Sequence, residues 1–567
     1  MDHYHTTTYL FRRLREGGAT VEQQKKLIGC LTQLDSVEGD PAWECVQTRY
    51  ELAVECLVPF ELLIFSRYRV TFELMESVKS QHSTLDATQA VRPVVQGAGA
   101  NTSPAGKIRA MFTPPEDPER VPQNILFVED LTDRVSLEFP ELWKLGQAYF
   151  KGELHVEPDV GKQPVFREMV LSSVSFFCNL VRAAALPSAP LPNRSDYGVW
   201  REGGRSDQWL PHCLRQVRAS YGVFIGLDLP GQVLDIVKSL TTELRLSSLN
   251  NILSSVIEEI YALHEREDWA QDVSDEHGCI TALPGVFQTL VVESVGLIKE
   301  AVLAIDNRED DILDHATARS NTELLLQKVL SAFAFALENA ATENYYSNQT
   351  EIPPDSCRLL YCLNNCQYTV KVVLPAILAS LADLEQLSLE KAESEARSMY
   401  SVLDAKLFDA YMELKCEPII AIIEPNMYQG KFDWAKCVRP TAARNYVKEI
   451  LHSAVCVHAE VSRIGEEFVS RVMVKLVEAV AEEVNRLYCC IQRMNSAGCV
   501  QAWVDIRCIE ACLKPFLTES STALLGEAQK PLLVLEKSAD IELVDACLTN
   551  FRRDMRRHIQ CFETKAA

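Results

Sequence analysis

From Phe468 onward the apolar side chains arrive in pairs three and four residues apart. Phe468 and Val469, Val472 and Met473, Leu476 and Val477, Val480 and Ala481 are followed by Val484, Leu487, Tyr488 and Ile491. A 3.6-residue repeat gathers all of them into one stripe along a helix of about six turns. Arg471, Lys475, Glu478, Glu482 and Glu483 occupy the remaining positions. A stripe of that length has to be covered by another helix. Just after Pro440, the residues Val447, Ile450, Leu451, Ala454, His458 and Val461 repeat the same spacing. The two segments are expected to pack antiparallel, each about 35 Å long at ~1.5 Å per residue. That length suits elongated bundles better than compact globules.

The same periodicity runs through most of the chain, and alternation with period two is almost absent, so a substantial β-sheet is not expected. No repeat of about 30 to 45 residues is visible, which argues against a regular solenoid. The fold class is therefore all-α, as irregular stacked helical bundles. A length of 567 residues exceeds one hydrophobic core and suggests about four domains. Glycine and proline mark the seams. Residues 86–122 are rich in Pro, Gly, Ala and Ser without an apolar period and read as a flexible linker. Weaker seams lie at 186–209, 270–285, 343–356 and 415–434. The expected division is N-terminal helices at 1–85, the linker at 86–122, and bundles at 123–269, 280–424 and 436–567.

The net charge of −23 argues against binding a phosphate backbone, so nucleic acid is not an expected partner. A hydrophobic share of 47% with 24% charged residues is that of a soluble globular protein. The longest apolar stretches, such as "LLLQKVLSAFAFAL", are interrupted by charge and fall short of the roughly 20 residues needed to span a bilayer. No apolar signal region follows the N-terminus, so the 19 cysteines read as reduced cytosolic thiols. The triplets at Asn101, Asn193 and Asn348 are then chance glycosylation matches.

Candidate chemistry is sparse, and no metal, cofactor or catalytic residue is expected. His264 and Glu265 begin a zinc-protease pattern, but Asp268 stands where the second histidine ligand belongs. Cys357, Cys362 and Cys366 lie at helix-face spacing without a C-x-x-C clamp, and together with Cys489 and Cys490 they read as core thiols. His3 and His5 sit at a terminus expected to fray. The acidic run "DNREDDILD" at 306–314 lacks the glycine and glutamate of a calcium loop and reads as solvated. "GAGANT" lacks the last glycine of a dinucleotide fingerprint, and there is no phosphate loop or nucleophile elbow.

Two features call for another explanation. In "FRRDMRRHIQ", Arg552, Arg553, Arg556 and Arg557 share a helix face opposite Leu548, Phe551, Met555 and Ile559. The arginines form either a solvated face or a docking site for an acidic partner or an anionic lipid surface. The stretch "KCEPIIAIIEPNMYQGKFDW" at 415–434 reads as a structural joint. Pro418 can sit in a first turn or end a helix, and Pro425 should push Glu424 away from helical geometry. Gly430 permits a tight turn, and Tyr428, Phe432 and Trp434 offer surfaces that pin the loop. Glu424 and Asp433 alone do not make an acid–base pair.

The residues around this joint, "DAKLFDAYMELKCEPIIAIIEPNMYQGKFDWAKCVRPTAARNYVKEILHSAVCVHAEVSRI", closely resemble the C-terminal region of the exocyst complex component 2 family, the Sec-five subunits of the exocyst. "GDPAWECV", "ILFVEDLTDRVSLEFPELWKL", "QWLPHCLRQVRASYGVFIGLDLP", "HEREDW" and "LVEAVAEEVNRL" are similar in the same order. The resemblance implies a rod of consecutive helical bundles in a non-enzymatic scaffold. It also implies other exocyst subunits as partners, tethering of secretory vesicles before fusion, and a cytoplasmic chain recruited peripherally to exocytic sites at the plasma membrane. The family's Ral-binding immunoglobulin-like domain and first long helices would lie upstream of Met1, so Ral GTPase binding is not expected from this chain. The alternative expectation is a short trafficking adaptor that acts outside the octamer or competes with the full-length subunit. A hydrolase on an unfamiliar helical fold is the third class.

Overall fold

The computed structural model describes residues 8–10, 12–13, 20–34, 40–57, 103–112, 121–186, 190–191, 194–197, 206–274, 278–306, 308–342, 353–530, 532 and 538–562. Among them the chain is helix upon helix, with one two-stranded hairpin. His3, His5, the "GAGANT" stretch and the asparagines of the three triplets, Asn101, Asn193 and Asn348, lie outside the described residues, as does most of the segment read as a linker. Within that segment Pro104–Ala110 is nevertheless helical, with Ser103 capping it and Ala105 and Ile108 buried.

The helices group into two compact units. One comprises Met1–Val256, Leu290–Leu325 and Leu384–Leu387, and the other Ile257–Thr289, Leu326–Asp383 and Ser388–Ala567. Residues 269 and 280, like 424 and 436, all fall inside the second unit.

In the first unit α1 (Val21–Thr32) and α2 (Pro41–Leu57) precede α3 (Pro104–Ala110) and the long α4 (Gln123–Phe150). α2 packs on α4, as do α5 (Gln163–Ala185) and α6 (Leu210–Gly226). Val128, Leu131, Val135, Leu142 and Leu145 form the stripe of α4 that they cover. Phe224 meets Phe139 and Phe177 edge-on, with centroids 5.0 and 6.2 Å away. Gly146 is required by the close approach of α5, because a Cβ there would lie 2.0 Å from the Phe166 ring.

Between and beyond come α7 (Gly231–Tyr261), the hairpin β1 (Gln271–Ser274) and β2 (Gly278–Thr281), α8 (Leu283–Ile298) and α9 (Ala316–Thr342). β1 pairs antiparallel with β2, Gln271 opposite Thr281. The second unit continues with α10 (Asp355–Tyr368), α11 (Leu374–Leu381), α12 (Glu390–Met427), α13 (Asn445–Ile464), α14 (Glu466–Cys489), α15 (Ser496–Cys512), α16 (Glu519–Gln529), α17 (Ser538–Asp554) and α18 (Arg556–Gln560). The stripe on α14 is buried from Phe468 to Tyr488. α13 runs antiparallel to it: Tyr446 at its start meets Tyr488 at the end of α14, hydroxyl to hydroxyl at 2.8 Å.

Two helical segments, Val160–Ala185 and Ala316–Thr342, are long and apolar enough to cross a bilayer, which the sequence reading did not anticipate. Of their most apolar windows, 44% and 56% of the residues are buried inside the protein, as in the core helices of a bundle.

Candidate functional sites

The stretch at 415–434 departs from its expected geometry at the prolines. α12 runs without a break through both Pro418 and Pro425 and ends at Met427, so Glu424 stays helical. Each proline removes one intrahelical donor and disfavours the helical form before it. The helix persists because Ile419, Ile423 and Met427 are buried on its inner face. The reversal comes after it, where Gly430 and Lys431 take φ of 74° and 59°.

Trp434 then plugs the turn. It is 2% exposed and meets Phe432 and Tyr488 edge-on at 4.9 and 5.6 Å. Its carbonyl accepts from the Asn495 N–H at 3.1 Å. The Arg444 guanidinium lies 3.6 Å above the Phe432 ring and donates to the Met427 carbonyl at 3.0 Å, capping the last turn of α12. Tyr428 is the most exposed of the three aromatics, at 38%.

Beneath this turn lies Asp505, a fully buried carboxyl on α15. Oδ1 accepts from the Arg444 backbone N–H and from Gln501 Nε2, both at 2.9 Å, and Oδ2 accepts from the Tyr446 hydroxyl at 3.2 Å. Burial outweighs these hydrogen bonds and lifts the carboxyl to a pKa of about 7. Sequence reasoning missed Asp505, although Ile506, Cys508, Ile509 and Cys512 place it on an apolar helix.

A second buried ionic group sits in the first unit and corrects the reading of 306–314. Asp306 and Asp310 are exposed, but Glu309 is buried. Arg218 grips it with a fork, Nε to Oε1 at 2.9 Å and Nη2 to Oε2 at 2.6 Å, and Arg245 Nη1 stands at 3.4 Å. Arg245 also donates to the carbonyls of Val302, Leu303 and Asp310, and Arg218 to those of Ala301 and Ala304. The carbonyls from Ala301 to Ala304 that these two side chains satisfy are those left open at the end of the π-helical turn Lys299–Leu303, which follows α8.

The remaining candidates carry no recognisable chemistry. His264 Nδ1–H donates to the Tyr261 carbonyl, 2.6 Å away, and Asp268 accepts from the Ala270 N–H at 2.9 Å in a tight turn. Nearby Glu267 is buried and bonded to Thr281, which Asn365 also holds, so this polar cluster fastens the hairpin to α10. Gly278 completes that fastening with φ of 68°, where a Cβ would stand 2.5 Å from the Ile464 carbonyl. Cys357, Cys362 and Cys366 are buried on α10, and burial raises their thiols, Cys366 to about 12. Cys489 and Cys490, read as core thiols, are exposed because they end α14 where its stripe runs out. Among the described residues no three His, Cys, Asp or Glu side chains gather as a metal site.

The four C-terminal arginines fall on two helices. Arg552 and Arg553 close α17, Arg556 and Arg557 open α18, and Met555 breaks the helix between them. All four are exposed, whereas Phe551 and Met555 are buried; Leu548 and Ile559 are half-buried.

The sequence model of the family described as exocyst complex component Sec5 matches residues 4–562. The chain belongs to this family. Among curated relatives, exocyst complex component 2 of Mus musculus is 28% identical over 601 aligned residues, covering 98% of this chain and 62% of the relative. The Homo sapiens protein is 28% identical with 98% and 63% covered, and that of Drosophila melanogaster 27% with 96% and 62%. The chain thus spans about 62% of the length of these Sec5 relatives.

Proposed function

We propose that this chain is a non-enzymatic helical scaffold subunit of the exocyst that tethers secretory vesicles to the plasma membrane before fusion. The observation that carries the reading is the Sec5 family match over residues 4–562. An all-helical architecture accords with it, since long helices bury one stripe and leave a second face free for other subunits. In this reading the chain is cytoplasmic, associates with the membrane through the complex, and has the other exocyst subunits as partners. Pro418, Pro425, Gly430 and Trp434 then serve structure rather than chemistry.

Tagged chain expressed in its own cells and purified gently should bring down the remaining exocyst subunits at constant ratio and sediment as a large assembly. A chain that sediments alone, with those subunits absent from the eluate, would overturn the proposal and leave an adaptor outside the complex.

A further inference from the structure

Exposed arginines in this acidic protein are commonly matched by a carboxylate one turn away. Arg134 pairs with Asp130 at 2.7 Å, Arg397 with Glu393 at 2.8 Å, Arg486 with Glu483 at 2.7 Å and Arg507 with Glu510 at 3.1 Å. With 79 acidic residues against 56 basic ones, such partners are plentiful. Arg167, Arg308 and Arg493 lack such a partner singly among the described residues, whereas the C-terminal arginines lack it as a group. Arg553 reaches its neighbour Asp554 at 3.6 Å, but Arg552, Arg556 and Arg557 meet no carboxylate among the described residues. The helix packed beside α18 brings an imidazole there, with the rings of His452 and His558 centred 4.7 Å apart. Three unpaired guanidinium groups within two turns repel one another, and an anion from outside would relieve that repulsion.

We propose that Arg552, Arg553, Arg556 and Arg557 form a docking surface for a carboxylate-rich segment of a partner protein. Two observations favour protein carboxylates over an anionic bilayer. The apolar side chains that could enter a headgroup layer, Phe551, Met555 and Phe562, are buried in the protein. A membrane would also confront a chain of net charge −23 with a broad plane of like charge. The proposal does not rest on the tethering reading, because it follows from local charge alone.

Fluorescence anisotropy with a labelled oligoglutamate peptide and the full chain tests it. The fourfold reversal Arg552→Glu, Arg553→Glu, Arg556→Glu and Arg557→Glu should weaken binding at least about tenfold. The fourfold Arg→Lys variant should lose several-fold, because charge remains and the fork does not. A control reversal at Lys436 and Lys530, both exposed, should change nothing. Circular dichroism checks each variant. Should the fourfold reversal unfold, Arg556→Gln with Arg557→Gln carries the test, with a several-fold loss expected. Equal affinity of the parent chain and its folded variants overturns the proposal. So does arginine-dependent sedimentation with phosphatidylserine vesicles, which would assign the surface to a membrane.

Discussion

Asp505 gives the sharpest test of the packing around the 428–444 turn. Among the described residues no cation forms an ion pair with it: Arg444 donates its backbone N–H and lowers the carboxyl slightly by its charge, while its guanidinium serves the Met427 carbonyl and the Phe432 ring. Tyr446, Tyr488, Cys437, Cys508 and Cys547 are the other titratable groups that sense it, and each is neutral near pH 7 because burial raises it. The folded chain therefore holds a proton on Asp505 up to about pH 7, while the unfolded chain releases it near 3.8. A carboxyl raised on folding stabilises the fold most at low pH, and that contribution is lost as pH climbs from the unfolded to the folded value. At about 1.4 kcal/mol per unit, the whole window is worth on the order of 4 kcal/mol.

Asp505→Asn fixes the neutral form. Its carbonyl can accept from Arg444 and Gln501, and its amide can donate to the Tyr446 hydroxyl, which then donates to Tyr488. A chain of this size does not unfold in one step, so local opening is the quantity to measure. Hydrogen exchange over peptides spanning 444–512 should show parent and variant nearly equal near pH 4, close to the unfolded value. The parent should then fall behind by roughly 3 kcal/mol as pH approaches 7 and level off above it. Comparing the two proteins at each pH cancels the intrinsic pH dependence of exchange. A gap that stays constant from pH 4 to pH 8 would refute the reasoning, because Asp505 would then bind its proton equally in both states.

Three further changes have expected outcomes. Trp434→Ala should destabilise by about 3 to 5 kcal/mol by emptying the centre of the turn, and an unchanged melting point would contradict its role as plug. Glu309→Ala should cost about 3 to 5 kcal/mol, because Arg218 and Arg245 keep their buried charges without a counterion; urea titration of the 299–314 region by exchange reads this directly. Gly146→Ala should cost about 1 to 3 kcal/mol by forcing the Phe166 ring from α4, which thermal melting of the full chain would report.

How much of this was legible in the sequence depends on how far each cause reaches along the chain. The stripes of α13 and α14 were legible because helical periodicity is a local property, and each stripe names its buried residues without knowing what covers them. The stretch near 270–285, read only as a weak seam, holds the β1–β2 hairpin, which the sequence reading did not foresee. Pro418 and Pro425 misled because their effect is local while the force that overrides it, burial of Ile419, Ile423 and Met427, comes from neighbouring helices. Glu309 was invisible within its acidic run, since one of its partners lies 91 residues away. Arg245 carried a faint signal, for it follows Leu244 on a buried stripe that continues through Leu249 and Ile252.

The buried polar groups have a consequence that apolar stripes alone could not supply. Leucine and valine stripes on long helices can slide by one turn with little loss, because dispersion and hydrophobic burial have no direction. A hydrogen bond or a forked ion pair does have direction, and a displacement of one turn would leave it unmade in a place where water cannot substitute. Asp505 holds the start of α13 to α15, the tyrosine pair holds α13 to α14, and Glu309 holds the 299–314 segment to α6 and α7. In this chain the register of the described helices is held by such buried polar side chains, set among the apolar ones that supply the bulk of the burial.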